Sequence, residues 1–214
     1  MIVGAALLGA ALFAAAGTVS WWNGWAFIGI IAALGVLSAR AVARSPGLAY
    51  ERRTAAARAP AWDRAAVRLV SLALPVVVVL AGLDRRFGWL PDVPRPVPAL
   101  AILAIVPAVA LAYRSMVENP FFSSHVRIQA ERGHTVVETG PYAAIRHPGY
   151  AGTAVFNLAA PLALGSWVAL VPGLAAVAVL IWRTAREDAL LQRELPGYAA
   201  YATAVRSRLV PGIW

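Results

Sequence analysis

The chain has 214 residues, 60% of them apolar and 14% charged, with a mean hydropathy of +0.68. Soluble domains hold about 45–50% apolar residues, so an ordinary soluble domain is excluded and an integral membrane protein is indicated. The formal charge of +9 comes from nineteen basic residues, all arginine, and cysteine is absent, which removes disulfides, thiolate metal sites and cysteine nucleophiles. These arginines lie in loops between apolar runs, where bilayer orientation and attraction to anionic lipid explain them better than nucleic acid does.

Residues 1–39 carry no charged side chain. That exceeds the ~20 residues one spanning helix needs, and Trp21-Trp22-Asn23-Gly24 places an aromatic-belt and turn signal near the middle. Two helices in a tight hairpin are expected, roughly 2–20 and 24–42. A cleaved signal peptide is the rival, and the lack of a positive n-region speaks against it. From Arg40 to Arg68, seven arginines accompany only Glu51 and Asp63, which predicts a solvent-side loop with a short surface helix across Ala55–Ala66. The apolar run Leu69–Leu83 is only fifteen residues long. To span, it must borrow its flanks, with Arg68 snorkelling to the interface and Pro75 bending the helix. Asp84–Pro98 carries Trp89 and Pro91, Pro94, Pro96 and Pro98, which forbid a regular helix and predict a compact loop on the opposite side. A fourth span is expected from about Val97 to Tyr113, bent at Pro107.

The polar segment Arg114–His147 is followed by thirty-five uncharged residues, Pro148–Trp182. One straight helix of that length would overrun the bilayer by about 20 Å, so a helical hairpin turning at Pro161 and Gly165-Ser166-Trp167 is predicted. Loops 40–68 and 114–147 and the tail from Arg183 hold sixteen arginines, against three in 84–98. The positive-inside rule therefore assigns them to the cytoplasm. The expected fold is all-α: a polytopic membrane protein with about six transmembrane helices, the last two a hairpin. Residues 1–113 supply about four amino-terminal helices. Residues 114–214 form the catalytic region, with a cytosolic cofactor pocket made by the 114–147 loop and the carboxyl-terminal helices.

The stretch Gly140–Gly152, GPYAAIRHPGYAG, places Tyr142, Arg146, His147 and Tyr150 at a water–lipid boundary, a poor anchor and a plausible ligand lip. In the tail, Arg183, Glu187, Leu191 and Leu195 recur at helical spacing, with Asp188 beside Glu187. Adjacent carboxylates where a helix leaves the membrane need cations or a ligand's donors. Arg183, Arg186 and Arg146 are available, and a solvated face with i,i+4 pairing is the competing reading. His147, fixed by Pro148, either presents a ring nitrogen to a ligand or bonds a carbonyl. Tyr142, Tyr150, Tyr198 and Tyr201 either stack on a planar ligand or form an aromatic belt. Asn157 faces a pocket or bonds a neighbouring helix, and Asn119 caps a turn or borders a substrate entrance. His125, His134 and His147 lack zinc-binding spacing and no HExxH occurs, so no metal is expected. GxGxxG, P-loop and GxSxG motifs are also missing.

Together, HTVVETGPY from His134 to Tyr142, RHPGYAG from Arg146 to Gly152, Arg183-x-x-x-Glu187-Asp188-x-x-Leu191, Gly197-Tyr198-x-x-Tyr201 and Pro211 resemble the isoprenylcysteine carboxyl methyltransferase family and its phospholipid methyltransferase relatives. The similarity covers about residues 115–214. It implies S-adenosylmethionine as methyl donor in a cytosolic pocket, contacted by His134, Val136, Val137, Gly140, Tyr142, His147, Tyr150, Glu187 and Asp188. Asp188 departs from the family's Glu-Glu pair and is one methylene shorter. The implied catalytic group is Arg183, Glu187 and Arg146. In this reading His147 and nearby backbone N–H groups meet the methyl donor's carboxylate, Glu187 meets its ammonium, and Arg183 with Arg146 orients an acidic acceptor. Asn119, Asn157 and Arg183 are the expected substrate contacts. A carboxylate acceptor arrives ionised and needs no strong general base.

The implied partners are the bilayer and a lipophilic small-molecule or prenylated substrate, which enters sideways between helices while the polar cofactor comes from the cytosol. The expected location is a prokaryotic cell membrane, with the carboxyl terminus cytoplasmic; nothing in the sequence sets an oligomeric state. Two other classes compete. A sterol-reductase-like enzyme would bind NADPH, and its group tends to end in a Leu-x-Pro-Gly-aromatic tail similar to Leu209-Val210-Pro211-Gly212-Ile213-Trp214 here. A non-enzymatic membrane scaffold is the second. RHPGY together with Glu187-Asp188 favours methyl transfer.

Overall fold

The computed structural model describes residues 2–214, which form eight α-helices with no strand among the described residues. Helices α1 (Ile2–Ala16) and α2 (Trp22–Arg44) make the expected amino-terminal hairpin. Its turn is fastened by Trp25 Nε1, which donates to the Val19 carbonyl at 2.9 Å. Helix α3 (Pro46–Arg58) starts at Ser45, whose hydroxyl accepts from the Leu48 N–H at 3.3 Å, with Pro46 in the first turn. Helix α4 (Ala61–Phe87) follows directly. The surface helix expected across Ala55–Ala66 is therefore split. Pro60 forces Ala59 into an extended conformation (φ −79°, ψ 149°), so the first half closes α3 and the second half opens α4. Helix α4 absorbs both flanks of the Leu69–Leu83 run, as its short length requires, and stops at Gly88 with φ +61°.

Helix α5 (Pro96–Glu118) is followed by a long irregular segment with two 3₁₀ turns, Ala130–Arg132 and Gly140–Ala143. Then come α6 (Pro148–Ala163), α7 (Leu170–Glu194) and the short α8 (Tyr198–Ala204). The predicted α6–α7 hairpin is present.

Three helices, α2, α4 and α5, are long and apolar enough to cross a membrane. Of the other expected spans, α1 and α6 have only fifteen and sixteen residues, short of the ~20 a bilayer requires, and α7 becomes charged from Arg183 onward. The exterior supports a bilayer setting: Val3, Leu7, Leu69, Leu72, Leu100, Leu103 and Val171 are all more than half exposed. A continuous apolar exterior of this kind is stable only where lipid covers it. Inside, Leu12, Phe27, Val77, Val78, Ile105 and Leu164 pack with many alanines. Small residues let the helices approach closely. At Gly152 a Cβ would run into the Ala108 carbonyl of α5.

The bundle has two chemically different ends. At one, Asn23 Nδ2 donates to the Ala163 carbonyl (3.2 Å) and the Ser166 hydroxyl to Asp84 Oδ2 (2.6 Å), joining the first hairpin's turn, the end of α4 and the α6–α7 turn. At the other end, α3, the segment after α5, the last turns of α7 and the tail come together, bringing most of the arginines with them.

Candidate active site

The RHP motif is pinned by the chain's last residues. Arg146 N–H and His147 N–H donate to the carbonyls of Ser207 and Arg208 at 3.0 and 2.9 Å. Beneath this pairing lies Asp188, fully buried on α7. Its carboxylate accepts from Arg146 Nε and Nη2 (2.8 and 3.0 Å), Arg208 Nε (2.9 Å), the Tyr198 hydroxyl (3.0 Å) and Gln192 Nε2 (2.8 Å), and His147 Nε2 lies 3.3 Å away. The remaining Arg146 nitrogen, Nη1, donates to the carbonyls of Val205 (2.7 Å), Arg206 (2.9 Å) and Ala202 (3.3 Å). One buried ion pair thus ties the central motif to the tail.

Above it opens a cleft walled by the segment after α5, the RHP motif, α7 and α8. Of the predicted residues, His134, Val136, Val137, Tyr142, Arg146, His147, Tyr150, Glu187 and Asn119 all line it. His147 and Glu187, forty residues apart in sequence, meet through Tyr150. The His147 and Tyr150 rings stack at 5.8 Å and 7°, and the Tyr150 hydroxyl donates to Glu187 Oε2.

His134 packs against Phe121 with ring centres 4.5 Å apart and the planes tilted by 31°, and its Nδ1 accepts from the Gln129 N–H at 3.2 Å. Burial, with Arg127 and Arg132 nearby, pushes its pKa down to about 4. The ring is therefore neutral near pH 7. Because Nδ1 accepts, its proton sits on Nε2 and is available as a hydrogen-bond donor. Burial pushes the Tyr142 phenol up to about 12, so it stays protonated and donates to the Ser115 carbonyl at 3.3 Å.

Beside this polar cleft, a second, open hollow lies among α2, α5 and α6, lined by apolar groups such as Leu34, Leu37, Val109, Met116 and Phe156. Phe122 lines both spaces.

Residues 100–193, which include most of α5, the irregular segment, α6 and nearly all of α7, match the isoprenylcysteine carboxyl methyltransferase family. Over these residues, somewhat under half of the chain, the sequence is similar to that family. With its apolar helices, it is in general terms a membrane methyltransferase. No curated protein matches the chain. The family match contains most of the cleft wall; Leu195, Tyr198 and Tyr201 are added from beyond it, at the end of α7 and in α8.

Four residues that the family resemblance implied as contacts lie off the cleft wall. Asp188 is beneath the floor, saturated by protein donors. Gly140 makes a turn at φ +57°, with the Glu118 side chain filling the place a Cβ would take. Asn157, expected to face substrate, is buried within α6, where its amide donates to the Thr153 carbonyl at 2.8 Å; it lines neither hollow. Arg183, expected to pair with Glu187 or grip an acidic substrate, instead donates Nε to Asp63 Oδ1 (2.8 Å) and Nη2 to the Ser124 carbonyl (2.7 Å). Arg186 stacks over Trp62 and Trp182 at 5.6 and 5.0 Å. Asn119 caps its turn, Oδ1 accepting from Phe121 N–H at 2.8 Å, while also lining the cleft.

Asp63 and Glu51, minority charges in an arginine-rich stretch whose composition predicts a surface loop, are both buried. Asp63 accepts from Arg183, from His125 Nδ1 (2.9 Å) and from Val126 N–H (3.1 Å). Glu51 accepts from Arg127 through Nε (3.2 Å) and Nη2. Both carboxylates come from outside the family match and hold its segment after α5 in place.

Proposed function

We propose that the protein transfers a methyl group from S-adenosylmethionine to a lipophilic acceptor drawn from the bilayer, an isoprenylcysteine-like carboxylate being the first candidate. The observation that carries this reading is the junction at Phe122, where a polar cleft holding Glu187 meets an apolar hollow between helices. Such a junction suits a reaction between a water-borne, cationic reagent and an oil-borne one.

The cleft's chemistry fits the methyl donor. Glu187, hydrogen-bonded to Tyr150, supplies negative charge for an ammonium or sulfonium, and neutral His134 offers Nε2–H to an acceptor atom. Phe121, Tyr142 and Tyr198 give aromatic surface for a planar base, while Val136, Val137 and Leu191 exclude water. When bound, S-adenosylmethionine supplies an electrophilic methyl group on sulfur.

The chain's own residues then provide orientation rather than proton transfer, because a carboxylate acceptor is already ionised. Arg183, off the cleft wall with Nε on Asp63 and Nη2 on the Ser124 carbonyl, holds the segment after α5 rather than gripping an acidic head group. His147 is turned toward Asp188 and stacked on Tyr150, so its role is to position Tyr150. Arg146 and Asp188 position the tail, Gly140 supports the turn that carries Tyr142, and Asn119 sits at the cleft's edge. In this reading residues 1–113 are chiefly the membrane anchor and residues 114–214 the catalytic region. The skewed arginine distribution supports a cytoplasmic cleft.

The test is titration of the purified protein in detergent with S-adenosylmethionine, S-adenosylhomocysteine and NADPH, followed by mass spectrometry of membrane lipid extracts for products that gain one methyl group. Binding of both adenosyl compounds and appearance of a methylated lipid are expected. Binding of NADPH alone would replace the proposal with a reductase.

A further inference from the structure

Arg183 and Glu187 stand four residues apart on α7, the spacing at which opposite charges pair on a helix by default. They do not pair here. Arg183 donates Nε to Asp63 Oδ1 (2.8 Å) and Nη2 to the Ser124 carbonyl (2.7 Å), and its guanidinium carbon lies 4.9 Å from the centre of the Tyr150 ring. Glu187 accepts from the Tyr150 hydroxyl instead. Asp63, wholly buried near the start of α4, is held from its other oxygen by His125 Nδ1 and the Val126 N–H at 2.9 and 3.1 Å. It lies outside the family match.

Among the described residues, Glu187 is the single carboxylate on the cleft wall. Asp188, its neighbour, is fully engaged by Arg146 and Arg208. A buried guanidinium deprived of Asp63 has one carboxylate left a helical turn away, and a buried charge without a counter-ion is costly enough to drive rearrangement.

We propose that Asp63 is a positioning residue that chooses the partner of Arg183: by engaging the guanidinium from a different helix, it leaves Glu187 unneutralised for a cationic ligand in the cleft. The proposal rests on the methyl-donor reading above. Without Asp63, Arg183 closes onto Glu187, whose charge is then taken up by the guanidinium, and a sulfonium in the cleft finds no counter-ion.

The test is a titration of full-length protein in detergent with S-adenosylmethionine and S-adenosylhomocysteine, comparing wild type, Asp63→Asn, Asp63→Glu, Arg183→Met and the Asp63→Asn/Arg183→Met double variant. Asp63→Asn is expected to weaken S-adenosylmethionine about tenfold, and S-adenosylhomocysteine, which lacks the sulfonium charge, by less. Asp63→Glu is expected to restore much of the loss. Arg183→Met and the double variant are expected to bind within about threefold of wild type, because no guanidinium remains to neutralise Glu187. A purely structural role predicts the reverse, with the double variant weaker than Asp63→Asn.

Binding by the double variant no better than by Asp63→Asn, or unchanged binding by Asp63→Asn, overturns the proposal alone. Should Asp63→Asn aggregate, Arg183→Met decides, and its loss of methyl-donor binding would overturn the proposal. Failure of the wild type to bind either compound overturns the methyl-donor reading itself.

Discussion

Asp188→Asn tests whether the tail is a working part of the cleft. The substitution keeps the side chain's shape but removes its charge, and it turns one acceptor oxygen into an N–H₂ group facing cationic donors. In the wild type those donors are Arg146 Nε and Nη2, Arg208 Nε, Gln192 Nε2 and the Tyr198 hydroxyl, all within 3.0 Å. Breaking a buried, fully hydrogen-bonded pair by removing one partner costs about 3–5 kcal/mol, and here that loss falls on the tail. Arg146 without its counter-ion no longer holds the carbonyls of Ala202, Val205 and Arg206, so α8 separates locally before the bundle unfolds. Tyr198 and Tyr201 leave the cleft wall with it. Hydrogen exchange should show α8 amides losing protection while α4 and α5 keep theirs, and ligand binding should fall in parallel. Arg146→Met should produce the same pattern, and the double variant should cost less than the sum of the two single changes, because the pair is removed together. Unchanged exchange in α8, or strict additivity, would refute the view of this ion pair as the tail's fastening.

His134 supplies a pH signature. Its folded pKa of about 4 lies below the ordinary value of 6.5, so the unfolded chain binds more protons between those values. Its contribution to stability is therefore complete above about pH 6.5 and is lost as pH falls toward 4. Thermal melts of wild type and His134→Gln should diverge at pH 7 and converge toward pH 4; a pH-independent difference would contradict the neutral ring. Phe122→Trp should narrow the junction between the two hollows, raising the KM for a lipid acceptor several-fold while methyl-donor affinity moves by less than about threefold. Gly152→Leu should force α5 and α6 apart at the Ala108 carbonyl, costing about 1–3 kcal/mol or more in thermal stability; an unchanged melting temperature would show that the crossing is loose.

Much of the fold was legible because lipid and water impose opposite demands on a chain. Charge-free stretches marked the two hairpins, and Gly165, at positive φ, lies in the expected second turn; the first reversal instead falls at Gly17, ahead of the expected Trp21–Gly24 turn, whose last three residues already belong to α2. Boundaries were less legible where charged residues continue a helix past its apolar run. Helix α4 carries Arg64, Arg68, Arg85 and Arg86 within one continuous element, since backbone hydrogen bonding is indifferent to the lipid boundary once long side chains can snorkel. The break at Ala59-Pro60 follows from proline's effect on the preceding residue.

The site divides along a different line. Residues clustered in one stretch, such as Tyr142, His147 and Tyr150, could be assigned to a common face because local geometry keeps them together. Partner choice could not. On α7 the helical period makes Glu187 the natural companion of Arg183, but the carboxylate that engages Arg183 lies 120 residues away in sequence, within a segment whose arginines made it resemble solvent-exposed loop. The same is true of Asp188, whose adjacency to Glu187 suggested a shared ligand. Successive residues on a helix point about 100° apart, so one carboxylate faces the cleft and the other faces the tail. Adjacent acids at the mouth of a membrane helix should therefore be assigned opposite tasks by default, one electrostatic and one structural. Glu187→Gln and Asp188→Asn separate the two. The first should abolish affinity for a cationic ligand while leaving α8 protected from exchange, and the second should expose α8. Loss of α8 protection in Glu187→Gln would show that the pair acts as a single structural unit.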